Sequence, residues 1–145
     1  MKRREKPRIQ KPIMLIVDDK AVNRYVLKNI FEEDYEIVEC QDGRDAIEAL
    51  EDKREETAAV LLDIVMPEWD GFAVLKYMKE TALQTVPVIL VSSNVNDKNI
   101  HRACAYDVAD YIQKPFQENV VRQRVQRIID LYQLKKGNEE YGQAE

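Results

Sequence analysis

The sequence predicts an α/β domain with a doubly wound, five-stranded parallel sheet, and two observations lead to that prediction. Five short apolar runs, at 13–17, 35–40, 58–62, 86–91 and 109–112, alternate with stretches of helical periodicity. The first, third and fourth runs are apolar throughout instead of alternating with polar residues. Such strands are typical of a parallel sheet that helices cover on both faces. The alternation of strand and helix implies right-handed crossovers between the strands.

The individual elements follow from this pattern in chain order. The second run, YEIVEC, contains two glutamates and is predicted to be an edge strand. Helices are predicted where apolar residues recur three and four positions apart; the clearest sets are Val22, Val26, Leu27 and Ile30, then Ala46, Ile47 and Leu50, then Phe72, Leu75 and Met78. The last helical pattern runs through Val121, Val125, Ile128 and Tyr132 to a predicted stop at Gly137. Residues 138–145 are polar and predicted to be disordered.

Length and composition are those of one ordinary globular domain. The chain has 145 residues, of which 45% are hydrophobic and 34% charged, and this excludes intrinsic disorder as the general state. We expect a basic tail at 1–11, a folded domain at 12–132, and the end of the last helix with a tail or linker at 133–145. No apolar run approaches the roughly 20 residues that cross a bilayer, and no signal peptide is evident. A cytoplasmic location without membrane contact is therefore expected.

Charge and cysteine content exclude two further classes of function. Residues 1–11 hold six Lys or Arg against one acid, whereas residues 12–113 hold ten against 21 acids. The acidic body of the chain argues against direct binding of nucleic acid. Cys40 and Cys104 lack the spacing of a metal site and are predicted to be buried thiols, not a disulfide.

Chemically informative side chains follow four of the predicted strands. They are Asp18 and Asp19 after the first, Asp63 after the third, Ser92 after the fourth and Lys114 after the fifth. Ligands of such sheets bind at the carboxyl ends of the strands, so these side chains should share one edge. Each pair of carboxylates at about 4 Å repels by about 4 kcal/mol at an effective dielectric of about 20, so a cation is required among them.

The donor set favours Mg²⁺ and a phosphoryl group. Mg²⁺ takes one or two protein carboxylates together with phosphate oxygens. Asp63 can then act as a nucleophile, while Lys114 neutralises charge on the transferring group and the Ser92 hydroxyl orients it. Each motif taken alone is more often a helix cap, a turn or a loop. Their joint occurrence, in order along successive strands, favours the phosphoryl site.

At these residues the chain resembles the receiver domains of two-component response regulators, from about residue 13 to about residue 132. The family pattern is an acidic pair after the first strand, Asp with Met-Pro and Asp-Gly after the third, Ser or Thr after the fourth, and Lys-Pro-Phe after the fifth. This chain reads VDD at 17–19, LDIVMPEWDG at 62–71, VSS at 91–93 and YIQKPF at 111–116. The resemblance implies a flavodoxin-like fold with strand order 2-1-3-4-5 and five helices, the last one extended.

The resemblance also implies residue roles. Asp63 would accept the phosphoryl group, and Asp63 and Asp19 would bind Mg²⁺ directly, with Asp18 contributing through water. The backbone carbonyl of Val65 would be a further ligand. Lys114 would pair with Asp63 and then with the phosphoryl group, and its bond to Pro115 would be cis.

A coupled movement of two side chains is implied as well. Ser92 would move toward the phosphoryl group and Tyr111 would turn inward, changing the surface of helix 4, strand 5 and helix 5. Val65 and Asn94 lie where the family tunes entry of the hydrolytic water. Asp107 stands where many relatives have a glycine. Trp69 is open to interpretation as a loop aromatic or a partner contact, and His101 is assigned to surface or packing.

Three other functions fit these residues less well. A haloacid-dehalogenase-type phosphatase also uses an Asp nucleophile, but it would need Asp-x-Asp after the first strand. A nucleotide-binding module would need a phosphate-cradling glycine loop, which the four glycines do not form. A degenerate receiver acting only as a scaffold conflicts with the complete set of acid pair, acceptor, hydroxyl and lysine. We therefore expect a signalling switch, which catalyses only its own phosphorylation and dephosphorylation, and not an enzyme in the wider sense.

The expected partners follow from the family. A sensor histidine kinase or a phosphotransfer protein would donate the phosphoryl group, and an output domain or downstream protein would read the switch. The sequence fits either a stand-alone receiver or a fragment of a longer regulator. The apolar seam from Val121 to Tyr132 permits a homodimer through the C-terminal helix, although packing of that seam on the sheet explains its first half equally well.

Overall fold

The computed structural model describes residues 10–64, 71–81, 85–93 and 97–143. Its strands are β1 (Ile13–Val17), β2 (Glu36–Cys40), β3 (Thr57–Leu62), β4 (Val88–Ser92) and β5 (Asp110–Gln113). Its helices are α1 (Ala21–Phe31), α2 (Gly43–Lys53), α3 (Gly71–Glu80), α4 (Asp97–Cys104) and α5 (Glu118–Gln143), with a 3₁₀ turn at Arg54–Glu56. All five strands pair in parallel in the order β2-β1-β3-β4-β5. The predicted fold class and strand order are confirmed.

Both faces of the sheet are buried, which explains the uniformly apolar strands. In β1, Ile13, Leu15 and Val17 pack in one apolar cluster with buried residues of α2 and α3. Met14 and Ile16 point the other way, into a second cluster with residues of α1 and α5. Successive side chains of a strand alternate between the two faces, so a strand covered on both sides must be apolar at every position.

The edge position of β2 is confirmed, and its exposed glutamates are Glu36 and Glu39. The predicted strand limits are correct to within two residues. Every helix in the described part of the chain is too short or too polar to span a bilayer.

The predicted end of the last helix at Gly137 is wrong. Helix α5 continues through this residue to Gln143, and the prediction that residues 138–143 are disordered is therefore also wrong. A glycine inside an exposed helix costs only about 1 kcal/mol relative to alanine, and the neighbouring Lys and Glu residues favour a helix. Residues 1–9, 144 and 145 lie outside the described residues, and the division between domain and linker at residue 133 stays a prediction.

Helix α5 packs on the sheet through a seam that differs slightly from the predicted one. Val121, Val125 and Ile129 are buried in the second cluster, whereas Ile128 is half-buried against it. This spacing of four places the first half of the seam in the domain core. That half therefore cannot serve a dimer.

The cysteines are both free. Cys40 is buried at the end of β2, as predicted, but Cys104 is exposed at the end of α4, so the prediction that both are buried is wrong for Cys104. Among the residues of α4 whose burial the structure describes, Ala103 lies in the core. The next residue along the helix then faces outward.

Candidate functional site

The strand ends bring the predicted site residues together through backbone hydrogen bonds that continue past the strands. The amide of Asp18 donates to the carbonyl of Cys40 at 3.0 Å, and the amide of Asp63 donates to the carbonyl of Val17 at 2.9 Å. Just beyond the paired strands β4 and β5, the amide of Lys114 donates to the carbonyl of Ser92 at 3.0 Å. The backbone of each residue is thus held as firmly as that of a strand.

Three carboxylates meet at this edge. One oxygen from each of Asp18, Asp19 and Asp63 lies within 4.8 Å of the others. Asp18 is buried, Asp63 is half-buried and Asp19 is exposed. The cluster therefore opens to solvent on the side of Asp19 and Asp63 and is closed behind Asp18.

Lys114 supplies the positive charge of the site, and it lies closer to Asp18 than to Asp63. Its Nζ is 2.8 Å from Oδ2 of Asp18 and 3.5 Å from Oδ2 of Asp63. The resemblance implied a pair with Asp63, which is present, and the lysine also pairs with Asp18. The bond between Lys114 and Pro115 is cis, as expected.

The environment of Asp18 favours its charged form. Burial alone would raise the pKa of its carboxyl, but hydrogen bonds from Lys114, the Lys20 amide and Asn23 outweigh it, and the pKa is lowered. Oδ1 accepts from the Lys20 amide at 2.9 Å and from Asn23 Nδ2 at 3.4 Å. With Oδ2 held by Lys114, both oxygens of Asp18 have protein partners.

Ser92 and Tyr111 lie beside the acids. Ser92 is the last residue of β4, is buried, and lines the same cleft as Asp63 and Lys114. Tyr111 on β5 is half-buried; burial raises the pKa of its phenol, and the negative charge of Asp63 raises it further. The two proposed moving side chains therefore share one acid as a neighbour.

The cleft itself is open and polar. It has a volume of about 740 Å³, and the residues that line it are Asp19, Lys20, Val22, Asn23, Asp63, Ser92, Ser93 and Lys114. An adjoining hollow of about 400 Å³ is mainly apolar, with Val26, Leu27, Pro115 and Phe116 in its wall. A phosphoryl group can therefore reach Asp63 from solvent.

Gly71 is a further residue of the site, and its role was not predicted from the sequence. Its amide donates to the carbonyl of Ile64 at 2.8 Å. A Cβ at this position would lie 2.6 Å from the backbone oxygen of Asp63 and 2.7 Å from Cα of Ile64. Only glycine allows α3 to begin this close to the residue that follows β3. The Asp-Gly of the motif was the available signal.

Asn23 and Arg24 on α1 were also missed. Asn23 contacts the Asp18 carboxylate and lines the cleft. Arg24 donates to the backbone oxygen of Asp18 at 2.6 Å. Neither residue belongs to a motif that the sequence analysis used, so no sequence signal identified them.

Asp107, which stands where many relatives have a glycine, has a φ of 56° and therefore a left-handed backbone, a conformation that favours glycine. His101 is exposed on α4. Val65, Trp69 and Asn94, with the rest of the loop after Asp63, lie outside the described residues.

The residues present fit a magnesium ion. Three carboxylates and one lysine leave an excess of two negative charges, which a divalent cation would balance. The exposed Asp19 and the half-buried Asp63 offer oxygen ligands on the open side, and hard cations such as Mg²⁺ prefer oxygen. Asp18, with both oxygens already partnered, is better suited to hold a water of the ion than the ion itself.

Comparison with known proteins identifies the family of this chain. The family model described as the response regulator receiver domain matches residues 14–126. The two-component response regulator ORR3 of Oryza sativa subsp. indica is 32% identical over 120 residues, which cover 81% of this chain and 91% of that protein.

Two solved structures share the fold. A CheY-like response regulator receiver domain protein from Methanospirillum hungatei has a TM-score of 0.79 at 22% identity and covers 87% of this chain and 99% of that one. The receiver domain of a sensor histidine kinase from Pseudomonas aeruginosa, described with a magnesium ion coordinated in its active site cleft, has a TM-score of 0.74 at 24% identity, with 83% and 98% covered. The family model and the Oryza sativa relative support a signalling receiver and not a haloacid-dehalogenase-type phosphatase. The chain belongs to the family of receiver domains of two-component response regulators.

Proposed function

We propose that Asp63 is the phosphoryl acceptor of this receiver and that a phosphohistidine of a sensor histidine kinase or a phosphotransfer protein is the donor. One observation carries the proposal: the Asp63 carboxylate lies within 4.8 Å of two further carboxylates and 3.5 Å from the Lys114 ammonium, in an open cleft. An acid that lies among other acids can accept an anion only when enough positive charge is nearby. Here the Lys114 ammonium and a divalent cation would supply that charge.

The chemical step requires little more than positioning. An oxygen of Asp63 attacks phosphorus, the bond from phosphorus to the imidazole nitrogen breaks, and the electron pair leaves with the imidazole, which takes up a proton. The product is an acyl phosphate on Asp63. Lys114 neutralises an oxygen of the transferring group, and the Ser92 hydroxyl donates a hydrogen bond to another.

We propose Mg²⁺ as the cofactor, with Asp19 and Asp63 as direct ligands, Asp18 acting through water and the backbone carbonyl of Val65 as a further ligand. When bound, the ion neutralises charge that develops on the phosphoryl oxygens. The carboxylate cluster and the magnesium ion described for the Pseudomonas aeruginosa receiver domain support this assignment.

The switch is proposed to act through Ser92 and Tyr111 on the surface formed by α4, β5 and α5. In this structure Arg124 of α5 forms two hydrogen bonds with Asp110 of β5, at 2.8 and 2.6 Å, and one with the carbonyl of Tyr111 at 3.1 Å. A movement of Tyr111 would therefore act on α5 through these hydrogen bonds. An output domain or a downstream protein would bind this surface in one state only.

Two finer proposals concern rate and assembly. Val65 and Asn94 are proposed to tune entry of the hydrolytic water, an apolar Val65 slowing dephosphorylation. A homodimer through α5 would use Leu131 and Leu134, which are 54% and 66% exposed. Light scattering with and without a beryllofluoride mimic tests the dimer, and a monomer in both conditions would exclude it.

The acceptor is tested by intact-protein mass spectrometry after incubation with Mg²⁺ and acetyl phosphate. The wild-type chain should gain one phosphoryl group, and Asp63→Asn should gain none. A matched control is Asp52→Asn, which changes an exposed aspartate of α2. Label on the Asp63→Asn protein, or repeated turnover of unrelated phosphate esters, would show that the proposal is wrong.

A further inference from the structure

Arg24 connects the acidic pair to the edge strand of the sheet. Its Nη1 donates to the backbone oxygen of Asp18 at 2.6 Å, and its Nε lies 3.1 Å from Oε1 of Glu39 on β2. The Arg24 side chain is 14% exposed and that of Glu39 is 40% exposed. The guanidinium is thus held between a carbonyl and a carboxylate, with most of its surface removed from water.

Two neighbouring residues of β2, Glu39 and Cys40, together fix the backbone amide and carbonyl of Asp18. The carbonyl of Cys40 accepts from the Asp18 amide, and Glu39 anchors the guanidinium that binds the Asp18 carbonyl. That carbonyl belongs to the peptide group that joins Asp18 to Asp19. Its orientation therefore determines the direction in which the backbone enters Asp19.

We propose that Arg24 is a positioning residue, which fixes this peptide group so that the Asp18 and Asp19 carboxylates lie correctly for a divalent cation. This inference rests on the proposed function in so far as the acidic pair is a magnesium site. Arg24 does not touch the cleft, and Glu39 balances its charge, so its contribution is geometric and not a direct electrostatic one. Residues that orient metal ligands typically affect metal affinity about 10- to 100-fold.

The alternative is that Arg24 only ties α1 to β2 and stabilises the fold. The two possibilities differ in what they change. If Arg24 is only a tie, its removal lowers the free energy of unfolding and leaves Mg²⁺ affinity unaltered at temperatures where the protein is folded. If Arg24 is a positioning residue, its removal weakens Mg²⁺ binding in the folded protein, and raising the Mg²⁺ concentration overcomes the loss.

The experiment is a titration with MgCl₂, followed by backbone amide NMR signals of the full chain. We expect Arg24→Ala to weaken Mg²⁺ binding about tenfold. Arg24→Lys should be intermediate, because one ammonium cannot bind the carbonyl and Glu39 in the same fork geometry. Glu39→Gln keeps the Arg24 bond to Asp18 but loses the charged anchor, and should weaken binding about threefold. Phosphorylation of each variant at saturating Mg²⁺ should return most of the way to the wild-type rate.

Arg122→Ala is the matched control. Arg122 also pairs with a glutamate, Glu118 at 3.0 Å, and also donates to a backbone carbonyl, that of Ile30 at 3.5 Å near the far end of α1. It should leave Mg²⁺ affinity unchanged. Urea unfolding of all variants separates lost stability from lost affinity.

The outcomes of these titrations support or overturn the positioning role of Arg24. Mg²⁺ affinity of Arg24→Ala within twofold of wild type, or an equal loss in Arg122→Ala, would overturn the positioning role. If Arg24→Ala does not fold, unchanged affinity in both Arg24→Lys and Glu39→Gln would overturn it. A wild-type chain that binds no Mg²⁺ would overturn this inference and the proposed cofactor together, whereas Mg²⁺ binding with label persisting on Asp63→Asn would refute the acceptor alone.

Discussion

Replacing Asp19 by asparagine should stabilise the protein without Mg²⁺ and abolish the stabilisation that Mg²⁺ provides. Asp19 is the exposed member of the three carboxylates whose oxygens lie within 4.8 Å of one another. Lys114 is held by the other two acids, at 2.8 Å from Asp18 and 3.5 Å from Asp63. The charge of Asp19 is therefore the least compensated of the three among the contacts that the described residues show.

The magnitude follows from the separation. At 4.8 Å, the upper limit of the separations between these oxygens, two unit charges repel by about 0.9 kcal/mol at the dielectric constant of water and by about 3.5 kcal/mol at an effective value of about 20. Since Asp19 is exposed, the lower figure applies to each of its two acidic neighbours, and attraction to Lys114 removes part of the sum. We expect a net gain of about 1 kcal/mol for Asp19→Asn, or about 3 °C in Tm for a domain of this size.

The assay is thermal and urea unfolding in EDTA and again in 10-fold stepped concentrations of MgCl₂. The wild-type Tm should rise with Mg²⁺, since a ligand that binds only the folded state stabilises it. That of Asp19→Asn should start higher and stay flat. Asp34→Asn, an exposed change in the turn after α1, is the control and should leave the Mg²⁺ response intact.

Two results would refute this reasoning. A loss of stability in EDTA would mean that Asp19 makes a favourable contact that outweighs repulsion in the cluster. A full Mg²⁺ response in Asp19→Asn would mean that the ion is held without this carboxylate. Salt offers a further check, because repulsion at an exposed site is screened, and the gain should shrink between low salt and 1 M NaCl.

Three further predictions concern single residues. Burial raises the pKa of the Cys40 thiol to about 12, so a thiol reagent at pH 8 should label Cys104 alone in the folded chain; two labelled thiols would refute the buried site. Gly71→Ala must displace the backbone at Asp63 and should cost about 1–3 kcal/mol in urea unfolding while lowering the phosphorylation rate; an unchanged rate would contradict it. Asp107→Gly should raise the free energy of unfolding by about 0.5 kcal/mol, because the backbone strain relieved at the positive φ exceeds the conformational entropy that glycine loses on folding. A lower Tm for this variant would contradict the prediction.

The sequence was sufficient to predict the fold because the two faces of the sheet are both covered. That geometry requires β1, β3 and β4 to be apolar along their length. Because this feature is repeated in three strands, it can be recognised in the sequence. The end of α5 could not be predicted from the sequence. Gly137 can end a helix or lie within one, because a glycine inside a helix costs only about 1 kcal/mol relative to alanine.

The site was predictable to the level of which strand ends contribute, and not to the level of contacts. Asp18, Asp63 and Lys114 were placed at one edge because parallel strands end together. That Lys114 lies closer to Asp18 than to Asp63 depends on side-chain rotamers and a difference of under 1 Å. The tie from Arg24 to Glu39 spans 15 positions between different elements, and such a pair leaves no local pattern.

The position of Lys114 has a consequence for the order of events at the proposed acceptor. Asp18 is buried, and Lys114 makes the shorter of its two ion pairs there. A phosphoryl group on Asp63 would draw the lysine away from Asp18, and an unpaired buried carboxylate is costly. The hydrogen bonds from the Lys20 amide and Asn23 offset part of that cost. A divalent cation already in the cleft would offset the remainder, so we expect phosphorylation to require Mg²⁺ first, and phosphorylation of the wild-type chain in EDTA would contradict this order.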